Sequence, residues 1–272
     1  MTYTDANRAN WNDRVKCHHD SSEVRDLLAK LSRGQSTLKE IETNLLGDVK
    51  GKRILHLMCH NGLDSISLTL KGAIVTAVDL SEESLNYAHK YAEMLGVEEI
   101  EFILGDVHDR LDWIDRQFDI VFMTYGVLCW LNDLRTVFSN AAQYLKNRGQ
   151  LLLIDHHPFL DLLDCQDNEL KITGQYFYDP IPEKCISTRS YIGSGQLSNP
   201  TSYQWSHNIG NIIEAVVTSG LIIEHFGEYP YIHYQRYPFL IEREGKYHLP
   251  ENMPRIPMLF SLMASKDADT PR

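Results

Sequence analysis

The sequence predicts an α/β fold in which a parallel sheet is covered by helices on both faces. Three observations carry this. From Gly51 to about His157, short apolar runs alternate with amphipathic helical patterns. The runs are continuously apolar, as strands buried on both faces are. Each ends in a short polar turn: His60-Asn-Gly62, Asp79, Gly105-Asp106, Tyr125-Gly126 and Asp155-His156-His157.

Residues 5–47 read as helices preceding the sheet. Thr37-Leu-Lys-Glu40 has the form of a capping box, with Leu38, Ile41 and Leu45 on one face and Gly47 as a stop. Leu27, Leu28 and Leu31 support a shorter helix ending near Gly34. Trp11-Asn-Asp-Arg14 is aromatic and polar without clear periodicity. It reads either as a flap over a ligand or as a surface helix with one docked Trp.

The first strand, Ile54 to Cys59, runs into a tight turn and then a helix with Leu63, Ile66 and Leu70 on one face. The second, Ile74 to Val78, ends in Asp79, and Ser81 caps the helix carrying Leu85, Ala88, Ala92 and Leu95. Ile100–Leu104 and Phe118–Thr124 are the third and fourth strands. A helix with Leu134, Val137, Phe138, Ala141 and Leu145 leads to the fifth, Leu151–Ile154. The aromatic, turn-rich stretch 159–205 is too long for an ordinary connection and reads as a cap insertion with short strands of its own. A helix from about Asn208, a sixth strand (Leu221–Phe226), a hairpin around Gly245 and a last strand (Met258–Ala264) complete the pattern. The expected division is 1–50 as a helical segment or flap, 51–266 as the main domain with 159–205 as its cap, and 267–272 as a disordered tail.

The 272 residues, 43% of them hydrophobic, suffice for one large domain or a domain with a cap. A formal net charge of -11 makes nucleic acid and anionic membranes poor partners. The first residues lack a signal-peptide core and no apolar run reaches the length of a membrane span, so a cytoplasmic location is expected. Five cysteines, odd in number and without metal-type spacing, point to a reduced protein with no metal.

In an open parallel sheet a nucleotide-like ligand sits at the carboxyl ends of the strands, and a carboxylate at Asp79 can accept both hydroxyl hydrogens of a ribose. From Lys52 to Ala264 the sequence resembles the class I S-adenosylmethionine-dependent methyltransferases. The family's first motif, commonly Leu-Asp-Leu-Gly-Cys-Gly-Thr-Gly, aligns with Leu55-His-Leu-Met-Cys-His-Asn-Gly62. Leu55, Leu57, Cys59 and Gly62 match. His56 replaces the acid, and Met58 and His60 replace two glycines. The later landmarks are Val78-Asp-Leu-Ser81, Gly105-Asp-Val107 and Phe118-Asp-Ile-Val-Phe122. The chain is also similar to a bacterial subgroup with Cys59-His-Asn-Gly62, His157-Pro-Phe159 and Trp205-Ser-His207.

The resemblance implies a doubly wound, seven-stranded Rossmann-like sheet of order 3-2-1-4-5-7-6 with the last strand antiparallel. It implies S-adenosyl-L-methionine as cofactor and methyl transfer to a small acceptor. Asp79 with Leu80 would hold the ribose, and Gly105, Asp106 and Val107 the adenine. Met58, His60, Asn61, Gly62, Thr124 and Tyr125 would lie along the methionine tail and sulfonium, with Trp11 as a flap. Without two motif glycines, close approach of a diphosphate is disfavoured, which weighs against a nicotinamide or flavin enzyme. Gly62 stands where the turn needs a conformation closed to other residues. His60 either bonds the methionine carboxylate or fills the volume the glycines leave.

The aromatic residues of the cap and the late loop suit a flat, small acceptor. Where the acceptor must lose a proton, His157 and His207 are the expected bases, with Tyr125 beside the sulfonium. Pro158 holds His157 extended at a strand tip. The alternative is that each histidine caps a helix end or ties down the insertion. Two other functions fit the same pattern: a lyase or cyclase acting on S-adenosylmethionine itself, and a non-catalytic cofactor-binding protein.

Overall fold

The computed structural model describes residues 2–111, 117–166 and 169–267. The tail from 268 onward lies outside the described residues. Three helices lead in: α1 (Tyr3–His19), α2 (Ser22–Ser32) and α3 (Glu40–Leu46). Helix α1 opens with a capping box, in which Thr2 Oγ1 accepts from the Asp5 amide and the Asp5 carboxylate accepts from the Thr2 amide. Its buried face carries Asn7, Asn10, Arg14 and His18 beside Ala6, Val15 and Cys17. A helix that buries polar side chains shows no apolar periodicity, which is why the Trp11 segment is without one. The capping box expected at Thr37 does not form. Helix α3 starts from Lys39 without a side-chain cap, and the Thr37 hydroxyl donates instead to Asp64 at 2.6 Å.

The alternating region folds as β1 (Arg53–Leu57), α4 (Leu63–Leu70), β2 (Ile74–Asp79), α5 (Glu82–Met94), β3 (Ile100–Leu104), β4 (Phe118–Thr124), α6 (Leu134–Tyr144) and β5 (Leu145–His156). Two hairpins lie between β5 and the next helix: β6 (Leu163–Gln166) with β7 (Glu169–Ile172), and β8 (Glu183–Ile186) with β9 (Thr201–Gln204). Then come α7 (Ile209–Thr218), β10 (Leu221–Tyr229), the hairpin of β11 (Ile241–Arg243) and β12 (Lys246–His248), and β13 (Leu259–Lys266).

The seven-stranded sheet has the order β3-β2-β1-β4-β5-β13-β10. Strands β1 to β5 pair in parallel, and β13 runs antiparallel to both β5 and β10. This is the order and the antiparallel ending the resemblance implied. Successive residues of the central strands supply opposite cores. Leu55, Val121, Met123, Leu151 and Leu153 pack with α6 and α7, while Ile54, Ile120, Phe122, Leu152 and Ile154 face the α3 and α4 side. Each such side chain contributes about 1.5–3 kcal/mol on burial. That stabilisation fixes the strand register, and with it the line of strand ends that forms the site.

Candidate active site

A crevice of about 300 Å³ lies across the carboxyl ends of β1 to β4. Its floor is Met58 and His60, Asp79 and Leu80, Gly105 to His108, and Thr124 to Val127. Its roof is Tyr3, Asn7 and Trp11 of α1, with Trp130, Tyr191 and Trp205. A second cavity of about 220 Å³ adjoins it and shares Met58, His60, Thr124, Tyr125 and Tyr191.

The turn after β1 keeps a glycine-like backbone without the glycines. Met58 and His60 have φ of 59° and 52°, in the left-handed region that costs non-glycine residues energy. At Gly62, φ is +72° and an added Cβ would lie 2.7 Å from the Phe102 ring and 2.8 Å from Ala88, so both conformation and space require glycine. The turn thereby presents the His60 amide to Asp79 Oδ2 at 2.7 Å, while Asp79 Oδ1 accepts from the Ser81 amide at 2.9 Å. Each carboxylate oxygen keeps lone-pair capacity for a further donor. Burial pushes the Asp79 carboxyl up to about 6, against the opposing pull of the Ser81, His60 and Leu80 amides. Burial likewise lowers His60 to about 4, leaving a neutral imidazole whose Nε2 has no partner.

At the β3 end of the crevice, Asp106 Oδ1 accepts from the His108 amide at 2.9 Å and stands 2.8 Å from its Nδ1. Burial raises the Asp106 carboxyl, but the His108 hydrogen bonds outweigh it and hold the group below the usual carboxylate range. The loop after β4 is fastened by Asp155, 3% exposed, which accepts from the amides of Gly126, Val127 (3.0 Å) and Leu128 (2.9 Å). The Tyr125 hydroxyl is buried beside the Glu42 carboxyl, and burial raises both, Glu42 to about 7.

Of the expected cofactor residues, Trp11, Met58, His60, Asp79, Leu80, Gly105, Asp106, Val107, Thr124 and Tyr125 all line the crevice. Asn61 lines the second cavity and Gly62 lies beneath the turn. Tyr3, Asn7, His108 and Trp130 line the crevice without having been expected there. The signal for the first two was present: Thr2-Tyr-Thr-Asp5 announces a helix start, and from it Tyr3, Asn7 and Trp11 fall on one face.

The two expected bases require correction. His157 has the extended backbone Pro158 demands (φ -68°, ψ 132°), yet its side chain caps the following 3₁₀ turn. Its Nδ1 accepts from the Phe159 amide at 3.1 Å and its Nε2 lies 2.9 Å from Glu228, away from the crevice lining. His207 is held by the Leu131 carbonyl at 2.6 Å and stacks on Tyr178, tying the stretch before β8 to the chain after β4. Both are buried, and burial pulls their pKa values down. Asn replacements are therefore expected to cost about 1–2 kcal/mol of stability each, read by urea denaturation, and to leave cofactor affinity unchanged. A large fall in turnover at unchanged stability would restore the base role.

The roof is zipped from both sides. Asn7 donates to the Tyr203 carbonyl (2.9 Å) and accepts from its amide (2.7 Å), Asn10 donates to the Asn199 carbonyl (2.6 Å), and Asp13 accepts from the Asn199 amide (2.7 Å). Among the described residues no group of three His, Cys, Asp or Glu is placed to hold a metal, and no helix is long and apolar enough to cross a membrane.

Residues 54–149 match the family described as a methyltransferase domain. YqeM of Bacillus subtilis, a candidate methyltransferase, is 36% identical over 149 residues, 54% of this chain and 56% of its own length. The ubiquinone biosynthesis O-methyltransferase of Erwinia tasmaniensis is 27% identical over 152 residues, 55% of this chain and 59% of its length. The chain thus spans little more than half of these relatives. A crystal structure of an S-adenosylmethionine-dependent methyltransferase from Mesorhizobium loti superposes with a TM-score of 0.56 at 17% identity, covering 83% of this chain and 96% of that one. Residues 54–149 thus carry a methyltransferase domain, and the sheet order is that of the fold seen in the S-adenosylmethionine-dependent methyltransferase from Mesorhizobium loti.

Proposed function

We propose that the protein transfers the methyl group of S-adenosylmethionine to a small, flat organic acceptor with an oxygen, nitrogen or carbon nucleophile. The observation that carries this reading is Asp79, whose two oxygens each hold one backbone amide and retain capacity for a ribose hydroxyl at the crevice floor. Held there, S-adenosylmethionine would supply an activated methyl group for in-line displacement by the acceptor, leaving S-adenosylhomocysteine. Asp79 and Leu80 hold the ribose, and Asp106 with the Val107 amide holds the adenine. Met58, His60, Thr124 and Tyr125 flank the tail and sulfonium, while Asn61 and Gly62 shape the turn and Trp11 closes the roof. Of the three residues expected to take part in catalysis, Tyr125 alone borders the crevice, and its ring face suits the sulfonium. Alignment and exclusion of water then supply most of the rate.

The rings of Tyr3, Trp11, Trp130, Tyr191 and Trp205 favour a flat acceptor. The net charge of -11 and a crevice lining without Lys or Arg disfavour nucleic acid. Free cysteines suit a cytoplasmic location. The same reading takes 1–50 as a helical lid and 159–205 as a cap on the domain 51–266.

Calorimetry with S-adenosylhomocysteine tests the cofactor assignment, and an acceptor library scored for S-adenosylhomocysteine release tests the reaction. Methylthioadenosine formed from cofactor alone would mean cleavage instead of transfer. Hydrogen exchange in α1 and across 159–205 is expected to slow when S-adenosylhomocysteine is added. Protection confined to Gly62 and Asp79 would show that neither segment is a lid.

A further inference from the structure

Arg14 is a buried cation without an anion. It is 8% exposed in the middle of α1, and its Nε donates to Asn10 Oδ1 at 2.5 Å. Its guanidinium lies 5.8 Å from the Trp11 ring centroid and 5.7 Å from that of Tyr191. Among the described residues no carboxylate pairs with it and its terminal nitrogens bond nothing. Burying an unpaired charge is costly, and a planar fork of free donors is the shape that grips a carboxylate through two parallel hydrogen bonds.

Both rings against this guanidinium line the crevice. The Trp11 ring packs at 5.3 Å on His60, whose backbone amide is the one that meets Asp79. Asp79, His60, Trp11 and Arg14 thus form one continuous line from the crevice floor to α1. Tyr191, whose ring covers Arg14 and meets the His18 ring edge-on at 4.9 Å, is 65% exposed, so solvent can receive it when it swings away. The crevice lining itself holds no Lys or Arg. Arg14 is therefore the cation at hand for an anionic group on a ligand whose ribose sits at Asp79.

We infer that Arg14 binds the α-carboxylate of the methionine tail of S-adenosylmethionine, with Tyr191 moving aside to admit it. The inference rests on the cofactor reading above and adds to it the residue that recognises the amino-acid end of the cofactor. His18 and His60, neutral imidazoles with rings 5.1 Å apart, border the same end and add no competing charge.

The test is calorimetry of the full chain with two probes, S-adenosylhomocysteine, which carries the carboxylate, and methylthioadenosine, which lacks it. Wild type is expected to prefer S-adenosylhomocysteine. Arg14→Gln should raise its Kd by about ten- to a hundredfold, the range of a lost charge-assisted hydrogen bond, while methylthioadenosine changes by less than about twofold. Arg14→Lys, which keeps the charge but not the fork, should recover part of the loss. Unchanged S-adenosylhomocysteine affinity in Arg14→Gln overturns the inference and leaves the charge to an acceptor or to the fold. Parallel loss of both probes overturns it too, because Arg14 then only supports the Trp11 and Tyr191 wall. Wild type that binds both probes equally refutes the carboxylate contact while keeping the cofactor assignment. Wild type that binds neither removes both.

Discussion

Asp155→Ala is expected to lower the stability of the protein by about 3 kcal/mol or more, because it leaves buried amides without an acceptor. The Asp155 carboxylate takes the amides of Gly126, Val127 and Leu128 and also that of His156 at 2.7 Å. The first three amides belong to the chain as it leaves β4 and enters the 3₁₀ turn Leu128–Trp130, whose leading N–H groups have no acceptor within the turn, and the fourth lies at the end of β5. One carboxylate, itself 3% exposed, does the work of a ladder. Asp155→Asn keeps one acceptor oxygen and should lose about half as much. Urea denaturation reads the effect as a shifted midpoint at constant slope. An Ala variant with the wild-type midpoint would mean that water satisfies the loop. Since Gly126 and Val127 line the crevice, S-adenosylhomocysteine affinity should fall with stability.

Asp79→Ala is expected to weaken S-adenosylhomocysteine by about 1–3 kcal/mol, the worth of hydrogen bonds to a charged group. The variant also strips an acceptor from the His60 amide, so Asp79→Asn, which can keep one amide bond, separates turn geometry from ribose binding. Burial gives the Asp79 carboxyl a pKa of about 6, above its ordinary value of 3.8. Between these values the folded chain holds the proton that the unfolded chain has released. The contribution of Asp79 to stability is therefore present below about pH 4 and is lost as pH rises through about 6. Cofactor affinity runs the opposite way, because ribose hydroxyls donate to the ionised form. Lowering the pH from 7.5 to 5 should weaken S-adenosylhomocysteine by up to about tenfold in wild type and leave Asp79→Asn flat across that range. Equal pH dependence in both proteins would assign the titration to another group, and an Ala variant with wild-type affinity would end the ribose assignment.

The sheet was legible in the sequence because its physics is local. A strand buried on both faces must be apolar throughout, and a helix on such a sheet must be apolar on one side, so the runs from Ile54 to Thr124 announced their strands within a residue or two of where they fold, whereas the fifth strand begins at Leu145, six residues before its apolar run and at a residue read as part of the preceding helix. The strand ends followed from the same pattern, and with them Asp79, Asp106 and Tyr125 at the crevice. The buried face of α1 was not legible as apolar periodicity, since it mixes Asn7, Asn10, Arg14 and His18 with Ala6, Val15 and Cys17, and the bonds of Asn7, Asn10 and His18 run to residues 172 to 196 positions away. Side-chain direction was not legible either. The sequence alone puts His157 at a strand tip, and its pairing with the Phe159 amide and Glu228 decides that it turns from the site. Thr37 is the same case, its hydroxyl drawn from a local cap to Asp64 on α4. The sequence by itself thus determined the order of elements and the line of strand ends. The tertiary structure decided which polar side chains are buried, since a buried polar group goes where a partner stands, and partners are brought together only by the fold.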